Sequence, residues 1–248
     1  MKSIYFTIAL ALSTVGVNAA QFFTGDFNNG TAPAEVELTS GFTRAYTGSL
    51  SDYVSFAGSS AACEDLTEYR QYLRTIDSDY SAVDFRFEAT IIRTSGTTAW
   101  GRIFYGLGVG TVRTDFFGEP GRPVIGCVAE ENSVARFYEM INDSTENGDG
   151  HLPVGSAAFA GPGTHRLRMD WNITNQLATF SIDQNYAGGT FAGDFSFDVD
   201  ATRSLLPFPG SSSYLYIGGG EGVVVDDISV TAIPGPAVPV ESIPVEFI

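Results

Sequence analysis

Between Gly163 and Trp171 the side chains alternate: His165, Leu167, Met169 and Trp171 fall on one parity, and Arg166, Arg168 and Asp170 on the other. Alternation with a period of two is the pattern of an antiparallel strand buried on one face and solvated on the other. It recurs after the turn-rich Asn172-Ile173-Thr174-Asn175, where Ala178, Phe180 and Ile182 share a parity within 177–183. Upstream, Phe85, Phe87, Ala89 and Ile91 point one way while Asp84, Arg86, Glu88 and Thr90 point the other. Shorter strands are predicted at Gln21 to Phe27, around Val36 and Leu38, at Tyr53 to Phe56, over 124–128 and 134–141, at Tyr214 to Ile217, and from Val223 to Ala232.

Two windows depart from simple alternation. Leu66, Tyr69 and Leu73 sit at helical spacing, but Tyr69 to Ile76 is rich in aromatic and β-branched residues and runs into Asp77-Ser78-Asp79. One short helical turn followed by a strand and a turn is therefore expected. From Trp100 to Gly110, glycines at 101, 106, 108 and 110 interrupt a strand pattern, which predicts curvature or a bulge where something approaches the backbone. A phosphate-binding loop is excluded there, because no helix follows to present its amides.

The ends differ from the body of the chain. Lys2, the apolar run from Ile4 to Val17 and Val17-Asn18-Ala19 have the three regions of a secretory signal peptide cleaved after Ala19, and the run is too short for a membrane span. Residues 233–248, spaced by prolines, read as an extended tail that no central strand would contain. The remaining 20–232 shows no internal repeat and is expected to form one all-β domain, a two-sheet antiparallel sandwich.

Composition narrows the partners. The chain carries 13 Lys and Arg against 29 Asp and Glu, a net charge of −16. Lys2 is its only lysine, so the exported form would stand at −17. Such an acidic surface argues against nucleic acid and anionic membranes as partners, and past the signal no other run is expected to insert in a membrane; the charge fits a saline setting or the ordinary solubility of a secreted protein. Cys63 and Cys127 are the only cysteines. In an oxidising compartment they are expected to form a disulfide, worth about 4 kcal/mol for a loop of about 65 residues, with two buried thiols as the alternative.

The order of a Gly163-Thr164-His165-Arg166-Leu167-Arg168 strand, a Phe180-Ser181-Ile182-Asp183 strand and a Val225-Asp226-Asp227-Ile228-Ser229-Val230 strand resembles concanavalin A-like, laminin G-like jelly-roll sandwich domains. The resemblance implies that the opening strand with Gly25-Asp26-Phe27 pairs close to the last one, bringing Asp26 near Asp226 and Asp227. It also implies a secreted, non-catalytic domain that binds a polysaccharide or a cell-surface glycan. The alternatives are a polysaccharide lyase or glycoside hydrolase acting on an extracellular glycan, and a structural component of an envelope or matrix.

Candidate chemistry follows from parity. Arg86, Glu88, Arg166 and Arg168 occupy the polar faces of two strands, where they either line a ligand-binding face or meet water. Asp84 and Glu88, the nearest approach to a hydrolase pair, have Arg86 between them, which opposes the raised pKa a general acid needs. For a lyase, Arg166, Arg168, Tyr105, Tyr216 and His151 would have to converge, while His165 falls with core residues. Asp226 shares a parity with Val224, Ile228 and Val230, so it needs a partner. Calcium held by Asp26, Asp226 and Asp227 is one candidate, and a hydrogen bond to a neighbouring turn is the other.

Overall fold

The computed structural model describes residues 22–27, 33–39, 54–57, 60–63, 71–93, 102–109, 124–130, 136–141, 151–153, 160–204, 213–219 and 223–233. The expected signal segment, 1–19, lies outside them, as do residues 234–248 of the tail and most of the window expected to open with a helical turn.

Fifteen strands appear among the described residues: β1 (Phe23–Gly25), β2 (Val36–Thr39), β3 (Val54–Ala57), β4 (Ser60–Cys63), β5 (Gln71–Thr75), β6 (Phe85–Arg93), β7 (Arg102–Val109), β8 (Val124–Glu130), β9 (Arg136–Ile141), β10 (His151–Pro153), β11 (Gly163–Asn172), β12 (Leu177–Asp183), β13 (Phe195–Asp200), β14 (Ser213–Gly219) and β15 (Val223–Ala232). They form two sheets whose strand pairs are all antiparallel. The first runs β13-β12-β11-β6-β15-β4-β3, with β1 joined to β15, and the second runs β10-β9-β8-β7-β14-β5-β2. The helical content among the described residues is a single 3-10 turn at each of Tyr80–Ala82 and Ala201–Arg203.

The expected parities hold in the first sheet. His165, Leu167, Met169 and Trp171 are buried, as are Ala178, Phe180 and Ile182, and as are Phe85, Phe87, Ala89 and Ile91. They meet Ile103, Tyr105, Leu107, Ile125, Cys127 and Ala129 from the second sheet in one apolar core. Tyr105 crosses the sandwich: its ring packs edge-on to Phe180 at 5.3 Å and its hydroxyl donates to the Ser181 carbonyl at 3.2 Å. The buried Trp171 indole donates to the Ser81 carbonyl at 3.3 Å, so the first 3-10 turn is tied to the core.

Three expectations are corrected. The glycine-rich β7 is neither bulged nor irregular in its pairing: it is in continuous register with β14 and β8. What approaches its backbone is β8, since a Cβ on Gly106 would lie 2.1 Å from the Ile125 carbonyl oxygen and 2.6 Å from Gly126 Cα. The irregularity is in β15 instead. Asp226 pairs with Thr90 and Ser229 with Glu88, so β15 spends one extra residue there, and Asp227 takes the left-handed conformation (φ 46°) that such a bulge requires. Parity therefore switches within the strand: Val225, Ile228 and Val230 are buried, while Asp226 is only half buried.

The expected disulfide is the third correction. Cys127 is a free, fully buried thiol. Its strand, β8, belongs to the second sheet, whereas Cys63 ends β4 in the first. Burial pushes the Cys127 thiol well up, partly offset by a hydrogen bond with Tyr105. It is an inert small hydrophobe in the core.

Candidate functional site

The sandwich offers two outward faces, and their chemistry differs. On the first sheet, β6 and β11 lie side by side with Arg86 opposite Asp170, Glu88 opposite Arg168 and Thr90 opposite Arg166. Arg86 binds Asp170 with two parallel bonds of 2.7 Å, the bidentate geometry of the stronger ion pairs. Arg168 donates to Glu88 at 2.8 Å, and its guanidinium lies 3.8 Å over the Phe191 ring. Arg166 donates to the Thr90 hydroxyl and the Asp227 carbonyl, with Glu88 at 3.6 Å.

The four residues expected to line a ligand face thus do share one face, but their charges are turned on each other. The Asp170 hydrogen bonds hold the Arg86 guanidinium above its ordinary range, against burial. Asp84, the other half of the hydrolase candidate, accepts the Ile173 amide at 2.7 Å. The lyase candidates are dispersed: Tyr105 is in the core, Arg166 and Arg168 are on the first sheet, and Tyr216 is on the second. His165 is a satisfied core residue, with Nε2 2.8 Å from the Gly161 carbonyl and the Asn185 amide donating to Nδ1 at 3.4 Å. Burial, with Arg93 nearby, lowers its pKa despite the Gly161 bond, so the neutral ring donates through Nε2.

The expected pairing of the ends is present. Phe23, Thr24 and Gly25 face Val230, Ser229 and Ile228, which sets Asp26 beside the bulge. Burial raises the Asp226 pKa; the Asp227 amide bond opposes this, the Asp227 and Asp26 carboxylates add to it, and Arg166 lowers it. The three aspartates do not make a metal centre: among the described residues no three Asp, Glu, His or Cys side chains converge to hold an ion. The Asp227 carbonyl, a candidate oxygen ligand, is taken by Arg166, and Asp226 Oδ1 accepts the Asp227 amide at 2.9 Å.

The second sheet has the outward face that parity did not single out. Register aligns one row across all seven strands: Glu37, Arg74, Tyr216, Gly106, Gly126, Met140 and His151. Leu73, Ile217, Tyr105 and Cys127 in the adjoining row point into the core, so Glu37, Arg74 and Tyr216 point away from it. Arg74 donates from Nε to Glu37 Oε1 at 2.9 Å and again through NH2, and it bonds to the Tyr216 hydroxyl. Its guanidinium carbon lies 4.3 Å from the Tyr214 ring centroid, and that ring meets Tyr216 edge-on at 6.3 Å. Burial opposes the Arg74 charge, but the Glu37 and Tyr216 bonds outweigh it and raise the pKa.

Beside this constellation the floor is bare backbone. Gly106, Gly108, Gly126 and Gly218 carry no side chain, and Phe104, Val128 and Tyr216 stand on the same outward side at 1%, 2% and 0% exposure. Residues this deeply buried, together with the four buried glycines, mean that the middle of this outward face is covered and only its edge meets solvent. Glu37 and Arg74, with 42% and 22% of their side chains exposed, and the half-buried Tyr214 form its accessible edge. The row was hidden from sequence reasoning because it takes one residue from each strand; the signal that could have found it is the Tyr214 and Tyr216 pair on the parity opposite Leu215 and Ile217.

No family model matches the sequence, and no curated protein matches it. Solved structures do. A structure reported with endo-acting O-glycanases expressed by prominent members of the human gut microbiota to initiate mucin breakdown aligns over 86% of this chain and 99% of its own, with TM-score 0.57 and 14% identity. The VIP36 exoplasmic/lumenal domain in its Ca2+/Man2-bound form aligns over 86% and 88%, with TM-score 0.55 and 8% identity. The CBM2 module of the evolved Dit of Lactobacillus casei BL23 phage J-1 aligns over 85% and 94%, with TM-score 0.52 and 13% identity. The fold is the concanavalin A-like jelly-roll sandwich. At these identities the likeness is one of architecture, consistent with the two antiparallel sheets described above.

Proposed function

We propose that this domain is a glycan-binding module whose site lies on the outward face of the second sheet, at Glu37, Arg74, Tyr214 and Tyr216. The observation that carries the reading is the hydrogen-bonded chain from Glu37 through Arg74 to Tyr216 with the Tyr214 ring stacked on the guanidinium. Sugars present apolar C–H faces and pairs of hydroxyls. A half-exposed aromatic ring receives the first, and a fixed carboxylate and guanidinium, acceptor beside donors, receive the second. Ordering these side chains beforehand lowers the entropy lost on binding. The mannose-bound VIP36 domain and the phage carbohydrate-binding module on the same architecture add to this reading without specifying a sugar.

Export through residues 1–19 and action on an extracellular polysaccharide or cell-surface glycan belong to the same proposal. Calcium does not, because the donor set at Asp26, Asp226 and Asp227 does not fit it and Arg166 supplies the positive charge there.

Affinity electrophoresis through gels containing immobilised mannan, β-glucan or galactan tests the site. Tyr214→Ala should weaken retention by about tenfold, the value of one stacking anchor, whereas the double variant Arg86→Ala with Arg168→Ala should be retained like wild type. Loss of retention in the double variant but not in Tyr214→Ala would move the site to the first sheet.

A further inference from the structure

The charges of this chain bear on what kind of glycan the proposed site accepts. Recognition of a uronate or sulfate ester needs positive charge that is not already neutralised, because the anion must give up its hydration on entering the site. Five of the described arginines are spent on carboxylates: Arg74 on Glu37, Arg86 on Asp170, Arg166 and Arg168 on Glu88, and Arg203 on Glu139. Glu139 shows how tightly such a pair can be held. It sits on the core side of β9 at 8% exposure, and Arg203 binds both its oxygens, at 2.8 and 3.1 Å.

At the proposed site, Glu37 binds the guanidinium through both its Nε and NH2, and the Tyr214 ring covers the guanidinium from one side. An incoming carboxylate or sulfate would have to displace Glu37 or lie against it. The whole chain, at −16, adds a repulsion felt at a distance and strongest at low salt. A neutral sugar meets neither obstacle. Its hydroxyls can donate to Glu37 without breaking the ion pair.

We infer that the ligand is a neutral glycan, and that Glu37 sets this preference by keeping the Arg74 charge neutralised. The inference rests on the site proposed above. It makes Glu37 a specificity-determining residue on an edge strand, β2, where it is partly exposed and its replacement leaves the core untouched.

The test compares mannan, β-glucan and galactan with sulfated derivatives of the same three polymers, at low and at high salt. The wild-type protein should be retained by at least one neutral polymer with little salt dependence, and at least about tenfold less by its sulfated form at low salt. Glu37→Gln keeps an acceptor but removes the charge, so it should narrow that ratio by about threefold or more. Asp170→Asn, which exposes Arg86 on the other sheet in the same way, should leave the ratio unchanged. Wild-type retention that is stronger on the sulfated polymers and collapses with salt would overturn the neutral-ligand inference while leaving a glycan-binding module standing. An unchanged ratio in Glu37→Gln, with the fold verified by its melting curve, would overturn the role of Glu37. Retention on none of the six polymers would overturn the site and the inference together.

Discussion

The outward faces of the two sheets solve the same problem in opposite ways. On the first, long charged side chains stand on a regular ladder and cancel in pairs across β6 and β11, which leaves a solvated surface with little net field. On the second, glycines strip the middle of the face to backbone, and aromatic rings gather beside a single ion pair at its edge. A face built from compensated charges asks nothing of a ligand. A face that sets rings and one ordered donor and acceptor pair at its edge offers a ligand more, and that asymmetry supports the site proposed on the second sheet.

The largest effect separating the two faces should come from Gly106. Its missing Cβ would strike the β8 backbone, at the Ile125 carbonyl and Gly126 Cα, and neither strand can yield without breaking register on both sides. Gly106→Ala should therefore destabilise by about 3 kcal/mol or more, the upper end for overpacking. On the first sheet, Arg86→Ala should change stability by no more than about 1 kcal/mol, because its ion pair with Asp170 is part-exposed and screened. Urea unfolding of both variants measures the gap. A gap of less than about 1 kcal/mol would mean that the glycine floor is soft and the contrast between the faces is overstated.

The same contrast explains what could be read from the chain. Where one face of a strand is buried, alternation is forced, so β6, β11 and β12 were legible with the inward set right at each position, and Asp26 came beside the bulge of the last strand through the expected pairing. The β15 parity was not legible, because the bulge that reverses it depends on Asp227 adopting φ 46°, and an Asp-Asp pair announces that far less clearly than a glycine would. β13 was missed since its Phe195 and Phe197 are only half buried at a sheet edge and its alternation with Ser196 and Asp198 is short. The site row was missed for a different reason. Glu37, Arg74, Tyr216 and Gly106 become neighbours only through strand order, and local pattern carries no information about which strand lies beside which.

If the charges on the first sheet cancel, the acid sensitivity of that sheet should arise beneath its surface, at His165. Its pKa is lowered in the folded state, so the unfolded chain binds the proton first on acidification. The contribution to stability is then intact above the usual histidine value of about 6.5 and is lost as pH falls below it toward the lower folded value. Protonation would also turn Nδ1 from acceptor to donor against the Asn185 amide. The melting temperature of the wild type should drop between about pH 7 and pH 5, and His165→Gln, though less stable at neutral pH, should show a flatter dependence over that window. An equally steep fall in the variant would place the acid-sensitive group elsewhere, including on the paired carboxylates, and would undo the view of that face as electrostatically settled.

The smallest effect concerns the bulge in β15 of the first sheet, where compensation is incomplete. Asp226 lies beside Asp227 and Asp26, and burial and both carboxylates raise its pKa while Arg166 and the Asp227 amide lower it. For an acid whose folded pKa is raised, the folded state holds the proton more tightly. Stability is therefore unaffected at low pH and declines as pH rises through the ordinary carboxylate value toward the folded one, leaving a small penalty at neutral pH. Asp226→Asn keeps the oxygen that accepts the Asp227 amide and removes the charge, so it should stabilise the protein at neutral pH. The gain should be no more than about half a kcal/mol, because the group is only half buried and is screened by solvent, and it should vanish near pH 3. Calcium supplies the opposing case. If an ion bridged Asp26 and Asp226, the wild type would melt higher in calcium than in chelator by the linkage relation, and the asparagine would lower stability rather than raise it. Melting curves of wild type and variant, in calcium and in chelator at both pH values, decide between an arginine-compensated bulge and a metal-bridged one on the sign of a single difference.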